Sequence, residues 1–261
     1  MYRLKMKRDT TTVMKFGGAS LKTPESFMNV AEIIASKKGR VVVVVSAMGS
    51  MTDSLVGLAH QVSKKPPRRE LDMLISVGER MSMSLLAMAL EEKGVSAISL
   101  TGSQSGIITC SEHADALIKD VRPTRIQKHL SEEKVVIVAG FQGVSENKEI
   151  TTLGRGGSDT SAVALAASLR AEKVEFYKDV KGVYSTNPKK DPKAILKKTL
   201  SFDEALNFEE FVIHPRSILL ASKNGLPLHV LTYKKEQWKE FPGTWIAPDA
   251  ALKGPYYESS R

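Results

Sequence analysis

The sequence has a single cysteine, Cys110, among its 261 residues. That excludes a disulfide framework within the chain and a multi-cysteine metal site, and Cys110 reads as a small buried or half-buried residue rather than a nucleophile. No segment runs to about 18 apolar residues, the length a membrane-crossing helix needs, and the basic stretch Met1 to Asp9 lacks the apolar centre of a secretion signal. A cytoplasmic chain with no membrane role is the expectation. Aromatic residues are sparse, at 6%. Only Trp238 falls within the basic clusters at 5–8, 64–69, 189–198 and 234–239, so they do not form an aromatic-studded platform and the net charge of +9 does not read as a nucleic-acid surface. Positive potential that draws in an anionic nucleotide and an acidic substrate explains it better. Internal repeats and low-complexity tracts are absent.

Apolar residues make up 42% of the chain, enough for a sizeable core, and short β-rich runs alternate with helical stretches, the pattern of an α/β domain. Strands are predicted at Thr11–Phe16, Val41–Val45, Val95–Leu100, Val135–Ala139, Val174–Tyr177 and Leu228–Leu231. Five consecutive valines in the second of these mark a strand buried on both faces, central in a mostly parallel sheet. Helices are predicted at Pro24–Lys37, Thr52–Ser63, Leu71–Glu92, Asp159–Leu169 and Asp203–Phe211, with Met73, Met81, Met83 and Met88 as core filler. Nothing resembles an interdomain linker, so a single sheet sandwiched by helices is expected.

Three glycine-bearing turns follow a strand or open a helix, where free backbone N–H groups and the helix dipole favour anions. The first is Lys15-Phe16-Gly17-Gly18-Ala19-Ser20, in which Gly17 and Gly18 let a phosphate approach and Lys15 puts a charge beside it. Neither Walker A spacing nor G-x-G-x-x-G fits this turn, and its glycine pair taken alone reads equally as an ordinary strand-to-helix turn. The second is Gly154-Arg155-Gly156-Gly157-Ser158-Asp159-Thr160. Capping by Ser158 or Asp159 does not account for three glycines and an arginine, so an anion nest is the reading. The third, Ser46-Ala47-Met48-Gly49, follows the valine strand.

KFGGAS, VVSAMG, GRGGSDTSA, YKDVKGVYSTNPK and VIHPRS, in this order, resemble the aspartate kinase branch of the amino acid kinase family, from about Thr12 to Thr232. The resemblance implies a three-layer α/β/α sandwich around a mostly parallel sheet, with ATP and the amino acid across the carboxyl ends of the strands. It also implies transfer of the γ-phosphoryl group of ATP, carried with Mg²⁺, to the side-chain carboxylate of L-aspartate. Such a nucleophile is already ionised, so alignment and charge neutralisation remain for the protein to provide.

Under that resemblance Lys15 meets the γ-phosphate, and Asp159 orients Lys15 or helps hold Mg²⁺. Arg155 suits the α-carboxylate of aspartate through two parallel N–H bonds. Glu79 matches the glutamate that takes the α-ammonium, although by helix position alone it reads as an exposed carboxylate. Ser46, Thr52 and Ser158 fall on the aspartate side. Gly17, Gly18, Ser20, Lys178, Asp179, Tyr184 and Lys189 fall on the ATP side. His214 reads as a capping or turn residue.

Two positions depart from the family pattern. Phe211 stands where many members carry a lysine that reaches ATP phosphate, and Lys181 replaces a common acidic residue, so Lys181 is the expected compensating charge. The chain is read as a short tail (1–10) and one catalytic domain (11–261). Family members usually continue into small regulatory domains that bind lysine or threonine, so no feedback inhibition is expected within this chain, and a homodimer is possible. A kinase for another acceptor, or a weak nucleotide sensor, are the alternatives.

Overall fold

A computed structural model describes residues 10–188, 190–208, 211–247 and 255–258. In chain order the strands are β1 (Thr11–Phe16), β2 (Arg40–Val45), β3 (Ala97–Leu100), β4 (Ile107–Thr109), β5 (Ile118–Val121) and β6 (Val135–Ala139). They continue with β7 (Gln142–Ser145), β8 (Ile150–Thr152), β9 (Lys173–Lys178), β10 (Thr199–Leu200), β11 (Leu228–Thr232) and β12 (Thr244–Ile246). The helices are α1 (Pro24–Ala35), α2 (Met51–Val62), α3 (Arg68–Ile75), α4 (Val77–Glu92), α5 (Thr124–Ser131), α6 (Gly157–Ser168), α7 (Phe202–Leu206) and α8 (Pro215–Lys223).

The large sheet runs β10-β12-β11-β9-β1-β2-β6-β3 and is parallel except where β12 meets β11. The valine strand β2 sits between β1 and β6, as a run apolar on both faces requires. Alternation along the strands sends Val13, Val42, Val44, Val174 and Phe176 into one core with α6 and α8. Met14, Phe16, Val43, Val45 and Tyr177 face the other, with α1 and α4. This is the expected three-layer α/β/α arrangement. α6 is buried around its whole circumference, and its alanines allow close approach to the sheet.

Several expectations are corrected. A second, four-stranded sheet, β5-β4-β7-β8, accompanies the large one instead of a single sheet. Its strands are three or four residues long and mix Thr, Ser, Gln and Lys with Ile and Val, too short for a period to show. The segment predicted as one helix over Leu71–Glu92 is two, α3 and α4, meeting at Ser76. There the Gln142 side-chain amide donates to the Ser76 carbonyl at 2.8 Å, and the Ser76 hydroxyl donates to Met73 O. The run Arg68–Glu92 is long and apolar enough by composition to cross a membrane, yet half of its most apolar window is buried in the protein, as in a core helix.

Of the methionines taken as core filler only Met83 is buried. Met73, Met81 and Met88 face outward, Met88 with 63% exposure, because α4 turns Met83, Leu86 and Leu90 toward the sheet and α1. The helix predicted over Asp203–Phe211 ends at Leu206, and Phe208 and Phe211 turn to line a cavity instead.

Below the active end, Asp72 is fully buried and accepts from the Thr152 hydroxyl (2.6 Å), the Ala114 N–H and His113 Nδ1. Arg216 donates to Leu153 O and Ala116 O and pairs with Glu258. These contacts hold the chain entering Gly154 from two sides.

Candidate active site

Lys15, at the carboxyl end of β1, has the strand parity of Val13 and so points toward α6. Its ammonium lies 2.8 Å from Asp159 Oδ1, in the first turn of α6, and both side chains are at most 8% exposed. Lys178, the last residue of β9, brings a second ammonium to 3.0 Å from Asp159 Oδ2. Burial alone would raise the Asp159 carboxyl, but the two ammonium groups outweigh it and hold Asp159 well below the usual carboxylate range. Burial lowers the Lys15 ammonium, opposed by the Asp159 carboxylate and assisted by the charge of Lys178. The sequence reading grouped Lys178 with the nucleotide but missed that it shares Asp159 with Lys15.

The first and third turns close on each other. Gly49 N–H donates to Gly18 O at 3.1 Å, and a Cβ on Gly18 would come within 2.6 Å of Ala47 O. Gly17 lies against the Lys15 ammonium, with 3.5 Å between that nitrogen and the position of a Cβ. The Ser20 hydroxyl, assigned to ATP from sequence, donates to Gly17 O at 2.7 Å and is buried within its own turn. Ser46 is half-buried just beyond β2, and Thr52 is half-buried in the first turn of α2.

Glu79 is corrected from an exposed helix carboxylate to a buried one, 3% exposed. The break at Ser76 and the close packing of Gly78 on Ala47 turn this first-turn residue of α4 inward. Glu79 Oε1 accepts the Ala47 N–H at 3.0 Å, and Oε2, equally buried, has no hydrogen-bond partner among the described residues. Burial pushes its carboxyl up to about 7, with the Ala47 N–H and the Lys15 charge pulling the other way. Helical position carried no sign of this; the short step from Ser76 to Gly78 was the available signal.

In the glycine turn before α6, Gly154 and Gly156 have φ of 70° and 76°. A Cβ on Gly156 would come within 2.2 Å of His214 Cγ. His214 caps α8, its Nδ1 accepting the Arg216 N–H at 3.3 Å, as expected of a capping residue. Gly156→Ala should therefore destabilise the protein by about 2 kcal/mol or more, through left-handed strain and overlap together. Its thermal midpoint, set against that of an alanine in place of the unobstructed Gly57, checks this. Ser158 is buried beside Gly140. Arg155 is exposed, and its guanidinium makes no hydrogen bond or ion pair among the described residues.

Beyond Lys178 opens a cavity of about 1010 Å³, lined by Asp179, Gly182, Tyr184, Asn187 and Phe211 among others. Tyr184 is held there by a bridge to Leu196. Lys189 lies outside the described residues. Lys181 does not line the cavity: its ammonium sits 3.6 Å over the Phe241 ring, which corrects its expected place at the phosphates.

The arrangement joins a nucleotide-sized cavity, a cationic centre and a buried carboxylate with one oxygen unpartnered among the described residues. The profile of the amino acid kinase family matches residues 10–232. The aspartokinase of Geobacillus stearothermophilus is 52% identical over 247 residues, covering 92% of this chain and 60% of that protein. Aspartate kinase from Synechocystis superposes with a TM-score of 0.81 at 43% identity, over 94% of this chain and 40% of that one. Escherichia coli aspartokinase III, solved with aspartate and ADP, superposes with a TM-score of 0.80 at 25% identity, over 92% of this chain and 65% of that one. The chain thus spans between 54% and 60% of the length of curated relatives it matches. A family match over most of the chain, the superpositions and the motif-bearing turns meeting at one strand edge agree: this chain belongs to the amino acid kinase family.

Proposed function

We propose that this chain is the catalytic domain of an aspartate kinase, residues 11–261, which transfers the γ-phosphoryl group of ATP to the β-carboxylate of L-aspartate. The products are 4-phospho-L-aspartate and ADP, at the first step of lysine and threonine biosynthesis, in the cytoplasm. One observation carries the acceptor assignment: Glu79 presents a buried oxygen with no partner among the described residues, within the field of Lys15. A buried carboxylate left so is costly, and an α-ammonium group is the partner that would relieve it. Arg155, exposed and unpaired among the described residues, suits the α-carboxylate.

An oxygen of the acceptor's β-carboxylate forms the bond to Pγ while the bond from Pγ to the bridging oxygen breaks, its electron pair leaving with ADP. No proton need move, since the nucleophile is ionised at neutral pH. Lys15 neutralises charge on the transferring group, Asp159 fixes Lys15, and Gly17 and Gly18 admit the phosphates. Asp179 and Tyr184 belong to the nucleotide cavity, with Lys189 assigned there from sequence.

No group of three His, Cys, Asp or Glu side chains among the described residues could cage a metal, and both Asp159 oxygens hold ammonium groups. The residues do not fit a protein-held Mg²⁺, so none of the steps above runs through one. The ion belongs to this proposal only as it travels with the nucleotide phosphates.

A homodimer belongs to the same proposal, supported by the outward apolar row Val77, Met81, Leu85 and Met88 on α4. A coupled assay of ADP release with aspartate, with glutamate and with no acceptor tests the assignment. Release only with aspartate is expected; equal release with glutamate, or none with either, removes it.

A further inference from the structure

Asp159 carries two ammonium groups, and Lys15 accounts for one of them. The register of β9 beside β1 explains the other. Lys15 lies opposite Phe176, and two residues on, Lys178 shares that face. Both lysines therefore reach the start of α6 from adjacent strands. They differ in surroundings: the Lys15 side chain is 6% exposed, whereas that of Lys178 is 18% exposed and lines the nucleotide cavity. Two ammonium groups on one carboxylate leave a net positive centre, in which the Lys178 charge disfavours that of Lys15. Such a centre is complete only when a further anion arrives, and the cavity delivers one along Lys178.

We propose that Lys178 is a second cation on the transferring phosphoryl group. The inference rests on the kinase reading above. Phe211 contributes an apolar ring to the same cavity, and Lys181 is engaged with Phe241. Lys178 is thus the described lysine that touches both the cavity and the Asp159 centre. The transfer moves no proton: the new bond runs from acceptor oxygen to Pγ, the old one leaves with ADP, and the two ammonium groups balance charge on the oxygens of the moving group. Asp159 sets the spacing between them by giving one oxygen to each.

The test compares K178Q and K178R with the unaltered protein for binding of ADP and of a non-hydrolysable ATP analogue by calorimetry, together with kcat. K178Q should lose about 10- to 100-fold in affinity for the analogue, the range for a charge-assisted bond, while ADP affinity changes by less than about twofold. Its kcat should fall at least as far, and K178R should recover most of both. Equal loss for the two nucleotides, no loss for either, or K178R as impaired as K178Q overturns the proposal. Should K178Q fail to fold, a structure of the unaltered protein with the analogue decides. The Lys178 ammonium within about 3.2 Å of a γ-phosphate oxygen supports the proposal, and a longer separation removes it. Absence of nucleotide binding or aspartate-dependent ADP release by the unaltered protein would defeat the kinase reading itself. Normal release with an unaffected K178Q would defeat only this inference.

Discussion

Lys15→Ala is expected to lower kcat by about a thousandfold, with a much smaller change in ADP affinity. The effect is large because the ammonium is buried, where charge on a transferring group is poorly screened, and Asp159 has already fixed its direction. Asp159→Asn should follow it closely. That change leaves a buried and a half-buried ammonium group facing each other without the carboxylate that joins them. Single-turnover kinetics with saturating ATP separates chemistry from binding. A Lys15→Ala protein retaining more than about a tenth of normal kcat would place the transfer elsewhere.

Glu79→Gln is expected to raise the KM for aspartate by about a hundredfold while leaving affinity for an ATP analogue unchanged, because an amide cannot neutralise an α-ammonium group. The same residue sets a pH dependence. With its carboxyl pushed up to about 7 by burial, Glu79 is protonated in the empty site below that pH. Aspartate affinity should therefore fall about tenfold per pH unit as pH drops below about 7, and level off above it. A Glu79→Gln protein should lack this limb. Stability of the empty protein runs the other way. A raised folded value means the contribution is complete below the ordinary carboxyl value and is lost as pH rises through about 7. At about 1.4 kcal/mol for each pH unit between the two values, the unfolding free energy contributed by this group falls by about 3 kcal/mol. Chemical unfolding at pH 5 and pH 8, with and without aspartate, measures it. Bound aspartate should restore what the higher pH removes.

Where one residue type repeats or a turn carries several glycines, the sequence was sufficient. β2 came from its valines, β1 and β6 matched their predicted bounds, and the turn around Gly156 stood out because no ordinary cap needs such composition. What escaped was decided by distant contacts. The interruption at Ser76 depends on Gln142, 66 residues away, and with it goes the inward turn of Glu79. The second sheet pairs strands too short to carry a period. Lys178 was placed with the nucleotide through the resemblance, but its meeting with Asp159 escaped, since it depends on β9 lying beside β1. Lys181 was misjudged because the ring of Phe241 that holds it is 60 residues further on.

The cavity lies toward the thin margin of the large sheet, against the two-residue strand β10 and the five-residue helix α7, whereas Glu79 stands over its middle. Backbone amides in β1, β2 and β6 should be the last to exchange with heavy water, and those around Tyr184 and Leu200 among the first. Local opening at that rim would let spent nucleotide leave while the amino-acid side keeps its shape. Turnover could then renew one ligand without loosening the grip on the other.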